Sequence, residues 1–301
     1  MNIAEAEHWL PGQLRAVYNE SECTLIATWV LEKLTGLSRS DRLKKPSESL
    51  SDEQMLKLTG MVQRLQQHEP VQYVLAEAWF FDMPLYVDKH VLIPRPETEE
   101  LVAWICDDVI ASQPGAIRKQ KTTADHTERL KILDIGTGSG CIALALKKKL
   151  PKAEVWGCDK SEAALNVARR NGAALDIRID FQAVDFLDSP QWNSLPAIDI
   201  LVSNPPYIPE NEKYSMAANV VEHEPRTALF VPDSDALIFY KALALFGQQK
   251  LRNGGSVYVE IHEAQGEAVV QLFEKAKYEN VELKQDMQGK NRMLKAILIK
   301  S

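Results

Sequence analysis

Only four cysteines are spread through the 301 residues (Cys23, Cys106, Cys141 and Cys158), and no two form a C-x-x-C pair. Scattered thiols of this kind read as reduced side chains of a cytosolic chain, not as a disulfide framework or a zinc ribbon. The six histidines (His8, His68, His90, His126, His223 and His262) are equally dispersed. Neither an H-E-x-x-H pair nor a Cys/His cluster occurs, which argues against a catalytic metal. A basic excess is missing as well, because 35 Lys and Arg stand against 42 Asp and Glu, a formal net charge of -7. Nucleic-acid binders usually carry a basic face that displaces counterions, so this balance speaks against a direct nucleic-acid substrate. No apolar run reaches the ~20 residues that span a bilayer. The opening residues Met1-Asn2-Ile3-Ala4-Glu5-Ala6-Glu7 lack the basic start and apolar segment of a secretion signal. The expectation is a cytoplasmic chain with no membrane partner. Its apolar content of 45% is enough to bury a core, and its length fits one large or two ordinary domains.

The first 75 residues show helical periodicity. Ser21 precedes the apolar run Leu25-Ile26-Ala27-Trp29-Val30-Leu31-Leu34, which stops at Gly36, so Ser21 is the expected N-cap and Gly36 the stop. Ser51-Asp52-Glu53-Gln54 opens a second helix, running to about Gln67. Trp29 and the Leu stripe are expected in the core of a small bundle. Aromatic and β-branched residues over Ala78 to Val87 predict a hairpin. Leu92-Ile93-Pro94-Arg95-Pro96 predicts an extended entry into a helix from near Glu97. From about residue 130, strands alternate with helices. Lys131–Ile135, Glu154–Cys158, Asp180–Val184, Ile198–Val202, Ser256–Ile261 and Leu294–Ile299 read as strands; Cys141–Leu150 and Ser161–Asn171 read as helices. Such βαβ units imply a parallel sheet covered on both faces. Gln113 to Arg129 is polar and reads as a solvated insertion.

Asp134-Ile135-Gly136-Thr137-Gly138-Ser139-Gly140 joins a strand to a helix. Glycines there permit a tight turn and a close approach of ligand to main chain, at the sheet end where open α/β folds bind ligands. The dinucleotide fingerprint G-x-G-x-x-G fails, because Cys141 stands at its third glycine. The G-x-G-x-G spacing behind an acid resembles motif I of Rossmann-like methyltransferases, which seat the amino-acid part and ribose of their cofactor. Asp159, at the next strand end, can accept two ribose hydroxyls; an acid at a helix start that complements the dipole is compatible with this. Asp185-Phe186 reads equally as an adenine contact and as a turn Asp beside a core Phe.

Val202-Ser203-Asn204-Pro205-Pro206-Tyr207-Ile208 closes the fourth strand of this region. Two prolines restrict the backbone and donate no N–H. A planar amide or amino nitrogen is a poor nucleophile, and an enzyme can help by accepting its N–H groups and holding it against a methyl donor. The Asn204 oxygen and the Pro205 carbonyl suit that task, and Tyr207 can cover a planar group. The alternative of a plain Pro-rich turn leaves the coincidence with the Gly-rich loop unaccounted for.

Over nearly its whole length the chain resembles the protein-(glutamine-N5) methyltransferases that modify peptide chain release factors, the PrmC or HemK family. The stretches that carry the likeness are Pro70-Val71-Gln72-Tyr73-Val74, Leu92 to Glu99, Asp134 to Ala143, Ser203 to Ile208, Glu224-Pro225-Arg226-Thr227-Ala228-Leu229 and Asp286 to Arg292. The resemblance implies a class I methyltransferase domain with a seven-stranded sheet over residues 96–301. It also implies an N-terminal helical bundle over 1–75 that helps recognise the release factor, with a hairpin linker over 76–95. It implies S-adenosylmethionine as cofactor, S-adenosylhomocysteine as product, and the glutamine of the Gly-Gly-Gln motif of release factors as substrate. Gly136, Thr137, Gly138, Ser139 and Gly140 would then hold the methionine part, Asp159 the ribose, Asp185 and Phe186 the adenine. Asn204, Pro205, Pro206 and Tyr207 would take the acceptor, and Asn204 would also contact the cofactor. The chain departs from the family's pattern at Ala76-Glu77 and over Phe230 to Ala236, where glycines usually stand. Three rivals remain: a glutamine methyltransferase of a ribosomal protein, an adenine or guanine N-methyltransferase acting on nucleic acid, and a cofactor-binding partner protein without turnover.

Overall fold

The computed structural model describes residues 1–112 and 129–300. The polar stretch Gln113 to Arg129 therefore lies, but for Arg129, outside the described residues. Two compact units emerge. One comprises Met1–Glu77 with Met216–His223, the other Ala78–Ser215 with Glu224–Ser301.

The first unit is helical: α1 (Ile3–Leu14), α2 (Glu20–Thr35), α3 (Arg39–Lys44), α4 (Asp52–Gln66) and α5 (Val71–Leu75), with α9 (Ala218–His223) from later in the chain. Local chemistry sets the helix ends. Ser51 and Gln54 form a capping box on α4, and Gly36 ends α2 in the left-handed conformation. Ser21 is not the cap of α2. Asn19 is, because its side chain accepts the Glu22 N–H while Glu22 reaches back to the Asn19 N–H. Ser21 instead donates to the Asn19 side chain. Trp29 is not core either. The buried stripe of α2 is Cys23, Ile26, Ala27, Val30 and Leu31, the spacing of one helical face. Leu25 and Trp29, four residues apart, share an outer face and stay 48% and 40% exposed.

The second unit opens with the predicted hairpin, β1 (Ala78–Phe80) and β2 (Met83–Leu85), turning at Phe81 and Asp82 with positive φ. Helix α6 (Pro96–Ser112) follows. Then come β3 (Lys131–Ile135), α7 (Cys141–Lys149), β4 (Glu154–Asp159), α8 (Glu162–Ala174), β5 (Asp180–Ala183) and β6 (Ile198–Ser203). A short parallel pair, β7 (Ile208–Pro209) and β8 (Phe230–Val231), brackets α10 (Arg226–Leu229). The remainder is α11 (Ile238–Lys250), β9 (Leu251–Glu260), α12 (Gly266–Lys275), β10 (Tyr278–Gln285) and β11 (Asn291–Leu298). The main sheet is seven-stranded in the order β10-β11-β9-β6-β3-β4-β5. Only β11 runs against its neighbours.

Side chains alternate across the strands, so Ile132 and Ile200 enter one core with α6, α7 and α8. Leu133 and Leu201 enter the other core, with α11 and α12. Strand β10 escapes a reading by alternation because it is an edge strand. Glu279, Asn280, Glu282, Lys284 and Gln285 are exposed, and charge on an edge blocks further pairing. From β3 the chain adds β4 and β5 on one side, then returns to add β6 on the other. The connections after β3 and β6 leave in opposite directions and open a crevice at their carboxyl ends.

Gly157 in the middle of β4 packs so tightly that a Cβ would lie 2.8 Å from both a Phe181 ring carbon and the Thr137 hydroxyl. Gly157→Ala is expected to destabilise the fold by about 1–3 kcal/mol through overpacking, measurable by denaturant titration against wild type.

Candidate active site at the switch of the sheet

After β3 the chain doubles back over the end of β4. The Gly136 and Thr137 N–H groups both donate to the Cys158 carbonyl, at 2.9 Å each. Gly136 and Gly138 hold φ of +69° and +52°, accessible to glycine at little cost. A Cβ on Gly136 would meet nothing within 4 Å. Both glycines line a cavity, with their main chain bare. Gly140 shares the left-handed φ, at +82°, but a Cβ there would also stand 3.2 Å from Ala168 and Leu144 atoms, and it does not line the cavity. Asn171, buried on α8, fastens this loop to the segment after β2. Its amide nitrogen donates to the Ser139 and Tyr86 carbonyls (2.9 and 3.0 Å), and its oxygen accepts the Tyr86 N–H at 2.7 Å.

Two carboxylates underlie the loop. Asp134 is fully buried and accepts the Thr137 hydroxyl at 2.6 Å. Asp159 accepts the Gly138 N–H at 3.0 Å on one oxygen and the Ser161 N–H at 2.8 Å on the other. A carboxylate offers about four acceptor positions, so Asp159 keeps acceptor capacity and lines the cavity. Burial pushes its pKa up, against the pull of those N–H groups. Asp185 and Phe186 line the cavity too. Asp185 also makes a turn by accepting the Leu187 N–H at 3.1 Å, and Phe186 packs on Trp192 and Phe246. The turn Asp and the core Phe are thus observed, and both residues also face the cavity.

Asn204 follows β6, whose last residue, Ser203, donates to the Ile135 carbonyl at 2.8 Å and ties the ends of β6 and β3 together. Asn204, Pro205 and Pro206 line the same cavity as Gly136, Thr137, Gly138 and Ser139. Tyr207 does not. Its hydroxyl donates to Glu260 at 3.1 Å, and its ring meets His262 edge-on. Burial and the adjacent Glu260 push its pKa well up, so it stays neutral. The Asn204 amide nitrogen donates to the Thr98 hydroxyl at 3.0 Å, and Thr98 donates to Glu260 at 2.6 Å. Burial raises the pKa of Glu260, while its bonds from Thr98 and Tyr207 and the charge of Arg292 lower it.

The sequence reading assigned no site role to Thr98, Glu260, Glu224 or Asn171, although Thr98 and Glu224 stand in stretches that carry the family likeness. Glu224 is buried, accepts the Ile93 N–H at 3.1 Å and pairs with the Arg95 guanidinium. It thereby holds the Pro94-Arg95 stretch along the cavity wall. The available signal was an acid inside or at the end of an apolar strand, as in Tyr258-Val259-Glu260-Ile261, since such groups are rarely buried without a partner.

Burial pushes Asp134 from 3.8 to about 7. Between those values the unfolded chain has released a proton that the folded chain retains. This contribution to stability is therefore full below pH ~4 and is lost as pH rises through ~7. An Asp134→Asn variant keeps an oxygen for Thr137 and loses this titration. In thermal melts of the ligand-free protein, its melting temperature relative to wild type is expected to rise from pH 5 to pH 8. A difference independent of pH would refute it.

Two family models match the chain: a methyltransferase small domain over residues 120–229 and a PrmC N-terminal domain over residues 5–75. The chain is 39% identical over 282 residues to a release factor glutamine methyltransferase of Flavobacterium psychrophilum, covering 94% of each chain. It is also 39% identical over 290 residues to one of Bacteroides thetaiotaomicron, covering 96% of this chain and 97% of that one. Among solved structures, the hMettl16 catalytic domain, in complex with a 3′UTR hairpin, superimposes with a TM-score of 0.53 at 14% identity. It covers 84% of this chain and 86% of that one, a likeness of fold. The seven-stranded sheet with helices on both faces is the class I methyltransferase fold. Among the described residues no helix is long and apolar enough to cross a membrane.

Proposed function

Because the chain belongs to the release factor glutamine methyltransferase family, we propose that it methylates the side-chain nitrogen of the glutamine in the Gly-Gly-Gln motif of peptide chain release factors, using S-adenosylmethionine. One observation carries the reading: the bare Gly136–Gly138 main chain, Asp159 and Asn204-Pro205-Pro206 surround one cavity at the switch of the sheet.

The fit of the cofactor rests on the residues present. The glycine main chain leaves room for its amino-acid part, Asp159 retains acceptor capacity for ribose hydroxyls, and Asp185 and Phe186 line the same cavity for adenine. When bound, S-adenosylmethionine supplies an electrophilic methyl carbon on a sulfonium. The protein's own contribution is positioning. The Asn204 oxygen and the Pro205 carbonyl accept the two N–H groups of the acceptor amide and aim its nitrogen. Within a direct in-line displacement, the new N–C bond forms as the C–S bond breaks, and the product amide then gives its extra proton to solvent. No side chain here needs to act as a strong base. The helical domain over 1–75, ahead of the linker over 76–95 and the catalytic domain over 96–301, engages the release factor.

The test is methyl transfer from labelled S-adenosylmethionine to a purified release factor, beside a factor whose Gly-Gly-Gln glutamine is alanine, with mass spectrometry to place the label. Label confined to that glutamine is the expected result. Label on a ribosomal protein or on RNA instead would overturn the substrate. Asn204→Ala is expected to lower turnover by roughly 10²-fold, the scale of a lost positioning contact.

A further inference from the structure

Asn204 serves an acceptor amide only one way round. Its carboxamide carries an oxygen that accepts and an NH2 group that donates, and the role proposed for it needs the oxygen on the cavity side. We infer that Thr98 and Glu260 set this orientation, a buried relay from Glu260 through the Thr98 hydroxyl holding the Asn204 NH2 group so that its oxygen is presented to the acceptor. The inference rests on the acceptor role proposed for Asn204 and adds the residues that enforce it.

A count of protons fixes the direction of each bond. An ionised carboxylate accepts only, and a threonine hydroxyl has a single proton to give. Thr98 gives that proton to Glu260 at 2.6 Å. Its oxygen is then left to accept, and the Asn204 amide nitrogen stands 3.0 Å away. Were the carboxamide reversed, two acceptor oxygens would face each other out of water, an arrangement that buried polar groups avoid. Glu260 is itself held at both ends, because its other oxygen takes the Tyr207 hydroxyl at 3.1 Å. Burial raises the Glu260 pKa, and the bonds from Thr98 and Tyr207 and the charge of Arg292 oppose that shift. Both Thr98 and Glu260 are buried. They are positioning residues acting through Asn204, and Tyr207 belongs to the same frame.

Three substitutions separate this from a purely structural role. Thr98→Val removes the hydroxyl at nearly constant shape, and Thr98→Ser keeps it. Glu260→Gln places a donor where only an acceptor stood and lets the polarity reverse. With a purified release factor as acceptor, Thr98→Val and Glu260→Gln are expected to lower kcat roughly 10- to 100-fold. Calorimetric affinity for S-adenosylmethionine should stay within about twofold, the pattern of a lost transition-state contact. Thr98→Ser should restore most of kcat. A readout independent of turnover uses chains labelled with 15N-asparagine. The Asn204 side-chain NH2 signals, identified by their loss in Asn204→Ala, should be protected from solvent exchange in wild type, unprotected in Thr98→Val and protected again in Thr98→Ser. Unchanged kcat in Thr98→Val, or unchanged protection of those signals, overturns the relay. If Asn204→Ala instead keeps wild-type turnover, the acceptor role of Asn204 falls, and the relay's function falls with it. If wild type transfers no methyl to the factor, the substrate is wrong, and the exchange measurement still decides the relay's geometry.

Discussion

Parallel strands cannot be joined by a tight turn; each needs a crossover of a dozen or more residues, and that constraint organises the site. The chain can fill a sheet outward from β3 in only one direction at a time. Having laid down β4 and β5, it must cross back to place β6 on the other flank. The two connections that leave the carboxyl ends of β3 and β6 diverge and cannot cover each other's ground. The crevice is thus a consequence of strand order. Of the elements around it, the Gly-rich loop and the Asn-Pro-Pro segment are the two that diverge at its floor.

Around that crevice Thr98, Asn171, Glu224 and Glu260 are buried and paired. The pairings come from distant parts of the chain. Glu224 holds the Ile93 N–H and Arg95, Asn171 joins Tyr86 to Ser139, and Glu260 collects Thr98 and Tyr207. Each bond serves stability and also fixes a cavity wall. Tyr207 joins the same frame: its hydroxyl finds an acceptor on the buried Glu260, and it does not line the cavity.

Much of the fold was legible because the signals are local. The Gly-rich turn after Lys131–Ile135, the left-handed stop at Gly36 and the Ser51 capping box depend on residues within a few positions of one another. The misreadings have the same origin. Ser21 and Asn19 are both good caps, and only the reciprocal bond from Glu22 chooses Asn19. Trp29 is apolar, yet helical phase and not hydrophobicity decides which face of α2 turns inward. Strand β10 hid behind its charges, which an exposed edge tolerates and a central strand does not.

The sequence by itself determined which segments become strand, glycine turn and helix, and that an Asn-Pro-Pro unit ends a strand, since each depends on backbone preferences and periodicity within one segment. The tertiary structure alone decided what meets Asn204. Thr98 stands 106 residues before Asn204 and 162 before Glu260, and no periodicity reaches across such separations. Which way the Asn204 carboxamide faces is set by a single hydroxyl proton, and that proton's destination exists only once α6, β6 and β9 have packed together.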